Sequence, residues 1–208
     1  RAMDDATPDA FRVIGSPVKR NGDAALLRGQ GRYVDDIHFP GMLHASFVRS
    51  PHPHAEIRAI DAGRAKSQPG VTAVFTANDL APHLTMMRMP VGQPSAAIRQ
   101  SLDPYVLAVD EVSYVGEPVA VVIAEHAYLA EDAAALVDID YDPLPAVTAT
   151  AEAGKPGAPA VWDECPDNIC FLHEAGYKEE TEAAFAKAHK IVKHEFVITR
   201  VRSEEHTS

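Results

Sequence analysis

The segment from Ser113 to Val147 constrains this chain more than any other. It opens with Ser113-Tyr-Val-Gly-Glu-Pro-Val-Ala-Val-Val-Ile-Ala-Glu125 and runs through Tyr128-Leu-Ala-Glu-Asp-Ala-Ala-Ala-Leu136. It closes on Val137-Asp-Ile-Asp-Tyr-Asp-Pro-Leu-Pro-Ala-Val147. Val119 to Ile123 is an unbroken apolar run, the pattern of a strand buried on both faces. Pro118 stands at its start, where a missing ladder donor is tolerated. Gly116 can adopt the positive φ that a sharp approach to the strand needs. Leu129, Ala133 and Leu136 recur at helical spacing and make one apolar stripe, and the alanines let that helix sit close to a sheet. Val137, Ile139 and Tyr141 alternate with Asp138, Asp140 and Asp142, as in a half-exposed strand, and Pro143 and Pro145 stop it. The order is strand, helix, strand, with a right-handed crossover if the two strands run parallel.

The rest of the chain is read around this segment. Residues 1–20 form an arm, frayed to Ala10 and extended from Arg12 to Arg20. Asp23 to Gly31 is one or two helical turns ended by glycine. Strands are expected over Met42–Arg49, with Leu43, Ala45 and Phe47 on one face, over Ala55–Ile60 and over Val71–Thr76. Asp61 caps a short helix over Ala62–Ser67, and Asn78 or Asp79 caps a single turn. Residues 81–104, with four prolines and three methionines, read as a long loop. Residues 148–165 form a linker rich in alanine, glycine and proline. A helix over Glu179–Lys190 and a strand over Ile191–Val201 carry too little apolar mass to stand alone.

Charge and cysteine usage narrow the function classes. A formal net charge of −11 leaves no broad basic surface for phosphates, which argues against nucleic-acid binding. No stretch reaches the roughly 20 apolar residues of a membrane span, and no secretory segment stands at the start. The two cysteines, Cys165 and Cys170, have neither zinc-knuckle spacing nor the number for a disulfide framework. Idle thiols point to a reducing compartment, the cytoplasm.

Several local patterns invite a chemical reading. Gly29-x-Gly31 lacks the third glycine and the following helix of a dinucleotide loop, so it reads as a helix cap and turn. His52 and His54 share a side of an extended, proline-interleaved segment, and a metal there needs a third ligand such as His44 or Glu56; surface or hydrogen-bonded histidines are the competing reading. Glu117, lodged between Gly116 and Pro118, is placed to accept backbone N–H bonds or to pair with Arg32 or Arg49, and a general-base role needs a pocket. Asp35-Asp36 and Asp138/Asp140/Asp142 lack the glycine and glutamate of a calcium loop. Met86, Met87 and Met89 either pack under their loop or line a contact with another subunit.

Taken together the motifs resemble a known family. Val18-Lys-Arg20, Leu26-Leu-Arg-Gly-Gln-Gly-Arg-Tyr-Val-Asp-Asp36, Pro40-Gly-Met-Leu-His44, Phe47-Val-Arg-Ser-Pro-His52 and Pro69-Gly-Val71 join Tyr114-Val-Gly-Glu-Pro-Val-Ala-Val121, Ala130-Glu-Asp-Ala-Ala134 and Val137–Ala146. In order and spacing they resemble the large, molybdopterin-binding subunit of molybdenum hydroxylases: xanthine dehydrogenases, aldehyde oxidases and aerobic carbon monoxide dehydrogenases. The resemblance implies an α+β fold: an α/β hammerhead domain over residues 21–147, a mixed sheet with short helices, then the first helix and strand of a truncated molybdopterin-binding domain over residues 166–201. It implies a molybdenum–molybdopterin cytosine dinucleotide in the full-length parent, and a [2Fe-2S] small subunit and an FAD medium subunit as partners in a dimer of heterotrimers. A small-molecule substrate is implied, with neither nucleic acid nor membrane as partner.

That family's cofactor segments and catalytic glutamate lie downstream of the hammerhead domain. No catalytic, cofactor-binding or metal-ligating residue is therefore assigned to this chain, and the fragment alone is expected to be structural and inactive. Residues 202–208, Arg-Ser-Glu-Glu-His-Thr-Ser, break the apolar pattern and resemble the in-frame translation of a sequencing adapter, so the natural protein is expected to continue past Val201. The alternatives are a stand-alone, non-enzymatic scaffold built on a hammerhead domain, and an unrelated α+β enzyme with its site on the 81–104 loop.

Overall fold

The computed structural model describes Pro17, residues 19–90, Ile98 and residues 102–197. The chain divides into two compact units: Arg1–Met89 with Pro104–Ala146, and Pro90–Asp103 with Val147–Ser208. Each is described by itself.

The first unit begins with α1 (Asp23–Leu26), followed by a 3-10 turn at Val34–Asp36. Strands β1 (His44–Arg49) and β2 (Ala55–Asp61), helix α2 (Gly63–Lys66), strand β3 (Val71–Thr76) and helix α3 (Ala77–Leu80) follow. Then come β4 (Glu111–Val112), β5 (Pro118–Ala124), α4 (Ala127–Ala134) and β6 (Asp138–Pro143). These strands form two three-stranded sheets, β1-β5-β3 and β4-β2-β6.

β5 is central because its sequence has nothing polar to lose. Val119, Ala120, Val122 and Ala124 are all buried. One core lies between the first sheet and the short helices: Val74 and Val122 pack with Ala62, Ala65 and Ala133, flanked by Val48 and Leu136. Ala130 and Ala133 are about 1% exposed, so the α4 backbone lies close to the strands. The second core gathers Ala55, Ala108, Val112 and Val119, flanked by Ile57, Ile139 and Tyr141. β5 thus gives Val122 to one core and Val119 to the other, helped by a register shift where Arg49 pairs with Pro118. Burying each such valine contributes about 1.5–3 kcal/mol before chain entropy opposes it.

The expected α+β class holds, and the strands are divided between two sheets. Every strand pairing among the described residues is antiparallel, and β5 and β6 lie in different sheets, so the condition for a right-handed crossover is not met. β3 has its expected bounds, and β6 alternates as expected, Ile139 and Tyr141 being more buried than Asp138 and Asp140. Gly116 has φ +90°. Gly29 is the left-handed residue of a helix-ending motif: Gln30 N–H donates to Ala25 O (2.8 Å) and Gly29 N–H to Leu26 O (3.0 Å), with Gly29 at φ +66°.

Four expectations are corrected. The strand expected over Met42–Arg49 starts at His44; Ala45 and Phe47 share one face as expected, and that face is the exposed one, with His44, Ser46 and Val48 on the more buried side. The reason is register: Val48 pairs with Ala120 and Phe47 with Val121, and the helices cover only the Ala120 side. At α3 the capping residue is Thr76, whose N–H and hydroxyl donate to Asp79 at 2.8 and 2.7 Å; those bonds hold the Asp79 carboxyl below its usual range. The stretch 148–165 contains a helix, α5 (Thr150–Ala153). Residues 191–197 form no strand, because a ladder needs a partner and none pairs with them among the described residues. The remainder of that expected strand, most of Arg12–Arg20 and the 202–208 tail lie outside the described residues.

The second unit holds α5 and α6 (Lys178–Lys187). Its loops are tied by Asn168, whose side chain accepts from Val161 N–H (2.8 Å) and donates to Ala153 O and Pro159 O (both 2.9 Å). Asn168 sits at φ +56°, a left-handed conformation that asparagine tolerates better than most residues.

Candidate functional site

The first unit's buried polar groups collect where β1 leaves one sheet and β2 enters the other. Ser50, His54 and Glu117 are its buried polar residues, at 2%, 9% and 3% exposure. The chain must cross between sheets here, and its backbone leaves the ladders, so side chains supply the missing partners.

Glu117 is held by the turn that precedes β5. Its Oε2 accepts the Ser113 N–H at 2.5 Å, and its own N–H donates to Tyr114 O at 3.2 Å. The backbone locks the same turn to β1: Ser50 N–H donates to Glu117 O (2.9 Å) and Gly116 N–H to Ser50 O (2.8 Å). Arg49 donates to Gly116 O at 2.8 Å, not to the carboxylate. Burial pushes the Glu117 carboxyl above its usual range, opposed by backbone N–H bonds from Ser113 and Tyr114 and reinforced by the nearby Glu111 charge. Of the expected readings, the backbone-bonded carboxylate is the one observed.

His52 and His54 part company. His54 Nδ1 lies 2.8 Å from Pro145 O and Nε2 lies 2.8 Å from Glu111 Oε1. His52 turns its ring edge to Tyr141, with centroids 5.0 Å apart and planes at 60°. Its N–H donates to Ser50 Oγ, and that hydroxyl donates to His52 O, both at 3.0 Å. The Tyr141 hydroxyl is buried without a partner of good geometry, and burial raises its pKa while nearby Ser50 lowers it. His44 lies on β1 opposite Ala124, and Glu56 lies on β2 opposite Asp142 and Glu111.

Among the described residues, no three or more His, Cys, Asp or Glu side chains are grouped to hold a metal. The aspartates do local work: Asp36 accepts the Tyr33 N–H at 2.9 Å, and Asp142 pairs with Arg58. Cys165 and Cys170 are free thiols; burial and the Asp167 carboxylate push the Cys165 thiol up, away from the reactive thiolate. Met86 and Met89 are exposed. A groove of about 610 Å³ along α6 is lined by Tyr177, Glu180, Thr181, Ala184, Phe185 and Ala188, so a single helix and its flanks form it and no second element closes it. No helix among the described residues is long and apolar enough to cross a membrane.

Sequence reasoning missed one participant of the joint, Glu111, and, separately, the loop-tying Asn168 of the second unit. Glu111 carries no motif of its own; only the β2–β4 register brings it to His54. Asn168 had a weak signal, an Asx residue in a Pro-Asp-Asn loop. The arrangement is a closed polar joint between two sheets. The Glu117 carboxylate is engaged by the Ser113 N–H, and the His54 imidazole by Glu111 and the Pro145 carbonyl.

Comparison with known proteins sets this joint in context. The family described as aldehyde oxidase and xanthine dehydrogenase, a/b hammerhead domain, matches residues 28–145. The carbon monoxide dehydrogenase large chain of Afipia carboxidovorans is 40% identical over 93% of this chain and 24% of its own length. The nicotine 6-hydroxylase large subunit of Paenarthrobacter nicotinovorans is 38% identical over 89% of this chain and 22% of its own. Among solved structures, the Cu,Mo-CO dehydrogenase superposes with a TM-score of 0.65 at 39% identity, over 85% of this chain and 23% of that one. The chain spans about a quarter of the length of the curated relatives it matches.

Proposed function

The chain belongs to the aldehyde oxidase and xanthine dehydrogenase a/b hammerhead family, and on that premise we propose that it is the front part of the large subunit of a molybdenum hydroxylase. One observation carries this reading: 93% of the chain aligns with a carbon monoxide dehydrogenase large chain, at 40% identity, but covers only 24% of it. The parent's reaction is oxidative hydroxylation of an aldehyde, purine or N-heterocycle, or oxidation of carbon monoxide, with water as the oxygen source.

The buried polar groups of the joint bond to backbone and to one another, and on this reading the chain supplies no cofactor-binding or catalytic residue. Its contribution is a rigid frame, made by joining two sheets through β5. In the parent, a molybdopterin cytosine dinucleotide bound by later residues supplies the oxidation chemistry. An iron–sulfur subunit and an FAD subunit take the electrons, in a dimer of heterotrimers located in the cytoplasm.

The test is to read the source DNA through codon 201 and beyond. A frame that continues well past residue 208 and lacks the 202–208 sequence is expected. A natural stop at Ser208 overturns the subunit reading and leaves a scaffold protein. The purified 208-residue chain is expected to bind no molybdopterin dinucleotide and to oxidise no aldehyde; either activity sinks the structural assignment.

A further inference from the structure

We propose that Asn21 is a modification site: the backbone nitrogen of Gly22 displaces its side-chain amide, and water then opens the ring to aspartate or isoaspartate, with no enzyme needed. The inference stands independently of the subunit reading. Gly22 N bonds to Asn21 Cγ, the Cγ–Nδ2 bond breaks, and ammonia leaves with the proton taken from Gly22 N. Water then adds to one of the two ring carbonyls. Cleavage at Cγ gives aspartate on the original backbone. Cleavage at the Asn21 main-chain carbonyl leaves the backbone running through Cγ, which is isoaspartate.

The chain has three asparagines, at 21, 78 and 168, and the structure separates them. Asn21 is exposed and precedes a glycine. Among the described residues no acceptor takes the Gly22 N–H, so the attacking nitrogen has no bond to give up. Asn168 differs on each count. Its amide oxygen accepts from Val161 N–H and its amide nitrogen donates to Ala153 O and Pro159 O, while the next N–H, that of Ile169, donates to Asp167 Oδ1 at 3.1 Å. The β-branched Ile169 side chain also crowds its own nitrogen. Asn78 is exposed but lies inside α3, ahead of Asp79, whose carboxylate is fastened to Thr76.

Attack at Asn21 requires the turn Arg20–Asp23 to open about Asn21 ψ. Among the described residues one bond closes that turn, from Asp23 N–H to Arg20 O at 3.2 Å, and the helix behind it, α1, has only four residues. Such short helical pieces open readily. The structure itself does not call for glycine at 22. Its φ of −84° and ψ of −16° suit any residue, and an added Cβ would meet only Leu26 Cδ1, at an ordinary 3.8 Å. The missing side chain therefore acts on the chemistry, by leaving Gly22 N open to approach Cγ. The product acts on the fold. Isoaspartate inserts a methylene into the backbone between positions 21 and 22, and a four-residue turn lengthened in this way no longer closes Arg20 O on Asp23 N–H.

The test is to age the folded 208-residue chain in mildly alkaline buffer and to follow each asparagine by tandem mass spectrometry that tells aspartate from isoaspartate. Conversion at Asn21 is expected to run at least about tenfold faster than at Asn78 or Asn168, and to yield both products. Gly22→Ala is expected to slow it at least about tenfold while leaving the melting temperature in place. Conversion at Asn21 no faster than at Asn78 overturns the inference, and that comparison needs no substitution. An unchanged rate in the Gly22→Ala variant overturns it as well, because the route then does not pass through Gly22 N. The isoaspartate form, separated by chromatography, is expected to exchange its Asp23 amide proton faster than the unaged chain, whereas Asn21→Asp, with the same charge on a normal backbone, keeps the unaged rate. An Asp23 amide that behaves alike in both forms overturns the effect on the turn.

Discussion

His54 and Glu111 meet across the β2–β4 ladder, Nε2 to Oε1 at 2.8 Å, although 57 residues separate them in sequence. The other ring nitrogen, Nδ1, faces Pro145 O at 2.8 Å. Both ring nitrogens of His54 are engaged, and the contact ties the chain leaving β6 back to the start of β2. His54→Ala is expected to cost about 1–3 kcal/mol, because it leaves Pro145 O without this donor. Glu111→Gln, whose amide can donate to a neutral ring, is expected to cost less than half as much. Urea unfolding of both variants checks the ranking; equal losses sink it.

Glu117 gives a pH dependence of defined sign. Its folded pKa lies above its unfolded one, chiefly through burial. The protonated form therefore favours the folded state. This contribution is fully present below the unfolded pKa, about 4.3, and is lost as pH rises through the folded value. Glu117→Gln keeps an oxygen to accept the Ser113 N–H and cannot ionise. It is expected to gain on the wild type as pH rises from 4 to about 7. Glu117→Ala leaves that N–H unpaired and is expected to lose about 1–3 kcal/mol at every pH. Thermal melts across the range provide the check; a constant gap between the Glu117→Gln variant and wild type would contradict the raised pKa.

Two glycines separate backbone strain from crowding. Gly116, at φ +90°, has nothing within 4 Å of an added Cβ, so Gly116→Ala is expected to cost only the left-handed penalty, about 1–2 kcal/mol. Gly70, at φ +80°, would place its Cβ 2.6 Å from Leu129 Cδ2. Gly70→Ala is expected to cost more, and shortening Leu129 to alanine in the same chain should recover the crowding part but not the strain. A double-mutant cycle measures this; an interaction energy of zero refutes the contact.

Asn168→Ala removes an acceptor and two donors from the loops of the second unit. Faster amide exchange is expected over residues 153–161, with an expected loss of about 1–3 kcal/mol of local stability. The amides of β5 are expected to keep their rates. Asn168→Gly restores the positive φ without the hydrogen bonds, so it should behave like the alanine variant if the side chain is what matters. Recovery to the wild-type rate would show that backbone conformation alone holds the loops.

Much of the first unit was legible because its signals are local. The alternation of Ile139 and Tyr141 with aspartates, the apolar run of β5 and the glycine at 116 each state a period or a φ that no distant residue can alter. The helix over Glu179–Lys190 was likewise found near its place, as Lys178–Lys187. What failed depended on partners. Which side of β1 is buried is decided by the β5 register and by where α4 lies, and the strand's own pattern, His44, Ser46 and Val48 against Ala45, Phe47 and Arg49, points the other way. Ile191 to Val197 has strand-like composition, yet a strand exists only when another backbone takes its hydrogen bonds.

The family and most of the order of elements follow from the order of residues alone, because motif order, periodicity and turn chemistry are properties of neighbours along the chain. Folding in three dimensions was needed to establish that His52 and His54 part, that His54 meets Glu111, that Glu117 serves backbone N–H groups, and that Phe47 faces outward. These outcomes rest on strand register and on the shape of the packed cores, which join residues tens of positions apart. A register shift of one residue would turn every side chain to the other face.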